Sequence, residues 1–239
     1  MSLEPNALTR ALQRQKARKL FEDFLGWIQR VPSPKWVFRG QPQRWSLIPS
    51  VGRNKRYSLH NELILFSEFR RAAPAYLGVS TCKNEWDWLS LAQHHGLPTR
   101  LLDWTTNPLV AAYFASDASP RGKKDGRISA IDTNAVGFFD PDRQGTPAPF
   151  DIDETRFVYP YALAKRITAQ RGLFSVHHDP TKAWSKRKDV DSFEIPAELK
   201  ADFRRLLFSM GVDSAFLMAD IDGLSATLTW RYKTGVLGT

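Results

Sequence analysis

The chain has 239 residues, 42% of them hydrophobic, with eight tryptophans and a formal net charge of +9. This composition can fill a core and excludes wholesale disorder, while the single Cys82 excludes an intramolecular disulfide and a cysteine-built zinc site. No run approaches the roughly 20 apolar residues of a membrane helix, and no signal-peptide apolar core is present, so the expectation is a cytoplasmic protein with no membrane contact and some attraction to polyanions.

In chain order, residues 7–30 read as an amphipathic helix, with Leu20, Phe21, Phe24, Leu25 and Ile28 at spacings of three and four. Val31-Pro32-Ser33-Pro34 stops it. This N-terminal helical segment, 1–34, is expected to pack on one α+β domain, 35–239. A strand at 36–39 follows, then a Pro-, Gln- and Arg-rich loop to Tyr57. Leu59–Leu77 reads as a helix whose last turn Pro74 disturbs. Asn84 is placed to cap a helix reaching His94, with Trp88 and Leu91 inward.

Leu101 and Leu102 belong to a buried strand entered by a Gly-Leu-Pro turn. Asn107 is placed to cap a helix over Pro108–Ser116, apolar on nearly every side. Gly126–Asp132 alternates as a strand, and 134–156 reads as a long loop. A short helix or turn over Leu163–Ala169 precedes strands at Gly172–His177 and Ser192–Ile195. Pro196 opens a helix to Met210 that Gly211 ends. Ala215–Met218 reads as a short strand, and Gly223–Tyr232 as a final helix. There is no repeat and no regular βαβ alternation, so the class is α+β, a mixed central sheet with surrounding helices.

Two segments carry chemistry. Trp36-Val37-Phe38-Arg39-Gly40-Gln41 ends an apolar run in an arginine, a glycine and an amide. A guanidinium beside a glycine suits an anion, and it equally suits an internal carboxylate. Gln93 to Pro108 crowds His94, His95, Thr99, Arg100, Asp103, Thr105, Thr106 and Asn107 around one buried strand. Polar groups so placed need partners, in a functional site or in a network that locks a loop.

These two segments resemble the FRG domain family, named for the triplet seen here at Phe38-Arg39-Gly40. The family's second block is similar to Gln93–Pro108. Later blocks resemble Arg166-Ile167 with Gln170, Gly172, Leu173 and Phe174, and Ile195-Pro196 followed by a helix and Asp220-Ile221-Asp222-Gly223. The resemblance spans roughly residues 36–224. It implies a bacterial or phage-related intracellular domain and leaves the activity to be argued.

Nucleophilic hydrolysis by His94 and Asp103 lacks a serine elbow. Adjacent histidines at 94–95 and 177–178 diverge, which disfavours a metal site, and no metal is expected. A mixed site of His94, Asp103 and a distant carboxylate, suited to a nuclease, stays open. Glycosyl transfer from NAD fits better, because it needs an arginine for the diphosphate, hydroxyls for the sugar and a carboxylate for the developing positive charge.

Phe38-Arg39-Gly40, Asp103-Trp104-Thr105-Thr106 and the helix with Ala111, Ala112 and Phe114 resemble elements of ADP-ribosyltransferase folds. Trp104 interrupts the hydroxyl pattern, and Glu194 has Ser192 where that family carries a second acid. The resemblance implies an NAD-dependent ADP-ribosyltransferase-like or NAD-cleaving effector, a toxin or antiphage protein. The expected catalytic set is Arg39, His94, Asp103, Thr105, Gln170 and Glu194. NAD is expected against Arg39, Gly40, Gln41, Arg100, Asn107 and Arg166, with Arg39, Gln41, His94, Asp103 and Gln170 converging on one cleft.

The rival reading is a non-catalytic module. Its arginines and amides would hold a nucleotide or a nucleic-acid end, with Trp36, Trp45 and Trp104 as stacking faces and the scattered basic clusters (14–19, 53–56, 121–124, 182–188) adding weak affinity. No protein partner follows from the sequence. Asp103 beside Arg100 is also read as an internal ion pair.

Overall fold

A computed structural model describes residues 7–77, 82–118, 124–160, 168–184 and 190–236. In chain order the elements are α1 (Ala7–Arg30), β1 (Trp36–Gln41), α2 (Leu59–Ala72), α3 (Glu85–His94), β2 (Leu101–Thr105), α4 (Pro108–Ala115), β3 (Gly126–Asp132), β4 (Phe138–Phe139), β5 (Arg156–Val158), β6 (Gly172–Val176), β7 (Val190–Ile195), α5 (Lys200–Ser209), α6 (Ser214–Met218) and α7 (Ile221–Thr234). The class is α+β. Strand pairing is mixed, with β4–β5 parallel and the β1–β3, β3–β7 and β5–β6 pairs antiparallel. No helix among the described residues is long and apolar enough to cross a membrane.

The chain forms two compact units interleaved along the sequence. The first takes residues 1–45, 105–132 and 189–239; the second takes 46–104 and 133–188.

In the first unit β3 lies between β1 and β7, in the registers Phe38↔Ala130, Gly40↔Ile128, Ile128↔Phe193 and Gly126↔Ile195. Directly opposed residues share a face. Phe38, Ile128, Ala130, Phe193 and Ile195 therefore make one apolar face. It joins Phe21, Phe24 and Trp27 of α1, Ala111 and Ala115 of α4, and Phe203 and Leu207 of α5 in a single core. Phe24 packs on Phe193 and Phe203 with ring centres 5.3 and 5.7 Å apart. The expected N-terminal helix has its expected ends, but Trp27 faces inward and Leu25 outward, because the stripe follows Ala17, Phe21 and Phe24.

In the second unit the strand order is β4-β5-β6-β2. Phe66, Trp86, Leu89, Leu101, Ile152, Val158, Phe174 and Val176 fill its core, with Trp88 only partly buried against them. Pro74 ends α2 at Ala72, and one 3₁₀ turn, Ala73–Ala75, follows.

Three expectations need correction. The loop at 134–156 contains β4, and β5 starts at its end; runs of two and three residues are too short to show a period of two. The helix after Pro196 opens with a 3₁₀ turn, Ala197–Leu199, before α5. Residues 215–218 form the helix α6, not a strand. Asp213 caps it by accepting a bond from Phe216 N at 2.8 Å, and Ala219 ends it with φ of +54°. Four apolar residues fit either state, and the cap decides. The expected turn at 163–169 falls largely outside the described residues.

Candidate functional site

Strand periodicity sorts the Phe-Arg-Gly segment into two faces. Phe38 and Gly40 point to the apolar side. A Cβ on Gly40 would lie 1.8 Å from the Ala111 carbonyl oxygen of α4, so its bare backbone serves a strand–helix approach and not the ligand approach expected of it. Arg39 and Gln41 point to the opposite face. Their partners across β3 are Ser129 and Arg127, whose partners on β7 are Ser192 and Glu194. The outcome is two polar rows on one sheet, Arg39-Ser129-Ser192 and Gln41-Arg127-Glu194.

These rows combine burial with charge. Gln41 is 2% exposed, and its Oε1 has no hydrogen-bond partner among the described residues. Arg127 donates through Nη2 to Glu194 Oε1 at 3.1 Å. Arg44, just past β1, donates to the other oxygen of Glu194 and to Asp125 at 3.1 Å. Glu194 is therefore gripped by two guanidiniums.

Lys200 stands behind the end of β1, fully buried. Its Nζ donates to the Pro42 carbonyl at 2.7 Å and to the Asp117 carbonyl at 3.2 Å. Burial lowers its pKa, with the carboxylates of Asp117 and Asp125 opposing. The ammonium ties the turn after Gln41 to the end of α4. Arg127 and Lys200 were missed in sequence, although Lys200 lies three and seven residues before Phe203 and Leu207 and so shares their inward side.

Residues 34–124 match the family model of the FRG domain. Over that stretch the chain is similar to the FRG domain. Comparison with curated proteins and with solved structures returns no match. The FRG match takes in β1 through α4 and stops before β3, so Gln170 and Glu194 lie beyond it, as does Arg166, which is also outside the described residues.

The polar residues of the FRG block at Gln93–Pro108 are largely bonded inside their own unit. In the second unit, Thr99 donates to Gln93 Oε1 at 2.6 Å, and Gln93 Nε2 donates to Asp103 at 3.1 Å. Arg100 is 1% exposed. It clamps Glu62 through Nε at 3.0 Å and Nη2 at 2.7 Å, donates to the Pro149 carbonyl at 3.4 Å and covers the Phe150 ring. The internal partner of Arg100 is thus Glu62 rather than Asp103. Residues three apart along an extended chain face opposite ways, and the donors expected to reach a cofactor are consumed.

Trp104 is buried in the second-unit core, not offered as a stacking face. Its indole donates to Ser175 Oγ at 2.9 Å, which lies 2.9 Å from His177 Nε2. His94 ends α3 with its ring 4.9 Å from that of the adjacent His95, and Gln170 lies half-buried just before β6.

In the first unit, Thr105 pairs opposite Phe38, on the face away from Arg39, and its Oγ1 accepts from Asn107 N at 2.9 Å. Asn107 caps α4 as expected, with Oδ1 accepting from Leu109 N at 3.0 Å. Of the expected site residues, Arg39, Gln41 and Glu194 share one face of the first unit. Among the described residues no group of three His, Cys, Asp or Glu is placed to hold a metal ion.

Proposed function

We propose that the chain acts in the cytoplasm on a nucleotide, most concretely as an NAD-directed, ADP-ribosyltransferase-like enzyme, with a toxin or antiphage effector as its biological form. What supports the reading is one observation: Arg39, Gln41 and Glu194 stand on the same sheet face, in register with Arg127 and Ser129. A guanidinium fork suits a diphosphate. The buried Gln41 amide oxygen suits a donor such as a sugar hydroxyl or a carboxamide. Glu194 is the acid on this face that transfer chemistry would use against positive charge on a ribose.

A second reading, a non-catalytic nucleotide or nucleic-acid binding module, is favoured by a different observation. Glu194 is already neutralised by Arg44 and Arg127, which suits a structural brace.

The test is nicotinamide release from NAD and labelled ADP-ribose incorporation, with cell lysate as acceptor source. The enzyme reading expects turnover in wild type and loss of NAD binding in Arg39→Ala. It expects poor rescue by Arg39→Lys, which lacks the planar fork, and slowed turnover with retained binding in Glu194→Gln. No wild-type turnover, together with nucleic-acid binding that falls steeply with salt, would overturn the enzyme in favour of the module.

A further inference from the structure

Helix α7 is inverted relative to an ordinary surface helix. Its inward positions carry Gly223 and Thr227, both buried. A Cβ on Gly223 would meet the Ser214 carbonyl oxygen at 2.5 Å and the Met218 side chain at 2.7 Å, and Thr227 Oγ1 accepts from Ala215 N at 2.9 Å. Small and hydroxylated residues thus serve the close approach to α6. The outward positions carry Ile221 at 71%, Leu224 at 44%, Leu228 at 49% and Tyr232 at 75% exposure. Their spacings of three, four and four residues align them in one stripe on the far side. Single exposed apolar residues need no explanation, whereas a continuous row of four large ones marks an interaction surface.

The flanking charges select the occupant. Asp220 and Asp222 open the helix; Arg231 and Lys233 close it. Each acid also suits the positive end of its own helix dipole, and each base the negative end. The informative part is the spacing. Eleven residues are close to three full turns, so Asp220 and Arg231 lie on one flank of the stripe, and Asp222 and Lys233 lie together farther round the other side. Two copies of α7 laid antiparallel about a two-fold axis would bring Asp220 near Arg231 of the partner subunit on that flank, at both ends of the contact, while Asp222 and Lys233 stay clear of it. Parallel copies would bring acid to acid and base to base. In the antiparallel arrangement Leu224 and Leu228 meet at the centre, Ile221 approaches Tyr232 of the partner subunit at each end, and the helix dipoles oppose.

We propose that the apolar stripe of α7 is a self-association surface, through which two copies of this chain pair by antiparallel, isologous contact. One helix stripe gives a contact at the small end of specific interfaces, so the dimer dissociates on dilution.

The experiment is light scattering and sedimentation velocity of the full chain over a concentration series, with circular dichroism to confirm folding. Wild type should rise to twice the chain mass. Leu228→Glu, an exposed site, should remain folded and weaken the dimer by at least about tenfold. Asp220→Lys and Arg231→Asp, each checked for folding by circular dichroism, should each weaken self-association, and mixing the two should restore a dimer, because each unlike pair is then attractive. A wild type that stays at single-chain mass at every concentration overturns the proposal and leaves the stripe to another occupant. A dimer unaffected by Leu228→Glu places the interface elsewhere. A mixture that fails to recover overturns the antiparallel register.

Discussion

Replacing Arg100 with alanine is expected to unfold this protein readily, and it separates architecture from ligand binding within the FRG block. The guanidinium makes two bonds to Glu62, at 3.0 and 2.7 Å, and a third to the Pro149 carbonyl. Both ionic side chains are almost entirely removed from water, at 2% and 3% exposure. Truncating the arginine leaves the Glu62 carboxylate buried with, among the described residues, the Tyr57 hydroxyl at 3.2 Å as its remaining partner. Losing one member of a buried pair costs about 3–5 kcal/mol. For a protein of this size each kcal/mol lowers Tm by about 2–4 °C, so the expected fall is roughly 6–20 °C. Urea unfolding followed by tryptophan fluorescence should show the midpoint move in proportion.

The double variant Arg100→Met/Glu62→Leu removes both charges and keeps much of the volume. It should recover more than half of the loss, since an apolar pair of similar size often matches a buried ion pair. If Arg100→Ala instead kept Tm within about 1 °C of wild type while abolishing nucleotide binding, the assignment of Arg100 to the core would be refuted.

Three further outcomes are expected. Gly40→Ala should leave little soluble folded protein, measured by expression and circular dichroism, because its Cβ would stand 1.8 Å from a backbone oxygen that α4 cannot easily withdraw. Asn107→Ala should cost about 1 kcal/mol in urea unfolding through loss of the α4 cap; unchanged stability would show that the cap is unnecessary. The Tyr57 hydroxyl is pushed up to about 12, first by burial and then by the Glu62 carboxylate, with Arg100 opposing. A folded-state pKa above the unfolded value of 10.0 gives a contribution fully present below pH 10 and lost as pH rises towards 12. Wild type should therefore lose more stability than Tyr57→Phe across that window, and identical alkaline unfolding curves would contradict the assignment.

Much of the local structure was legible in the sequence because its causes are local. Asn84 and Asn107 cap their helices from the residue just before them, Pro74 closes α2, and Gly126 to Ala130 alternates apolar with polar before Ile131 breaks the pattern. The class α+β followed from such elements alone. Short segments were not legible: β4 and β5 owe their state to strand partners, and α6 to a cap and to α7 packed against it.

The site divides along the same line. That Arg39 and Gln41 share a face, with Gly40 opposite, is a consequence of strand periodicity and was present in the sequence. That their row runs on through Arg127 to Glu194, that Lys200 holds the turn beyond them and that Arg100 spends its donors on Glu62 was decided only by tertiary structure. Those pairs are 67 to 158 residues apart for Arg127–Glu194 and Lys200–Pro42, and 38 apart for Arg100–Glu62. A single sequence carries the donors and acceptors, but the partner of each depends on which strands and helices pack together, and that choice is made by burial of the whole core.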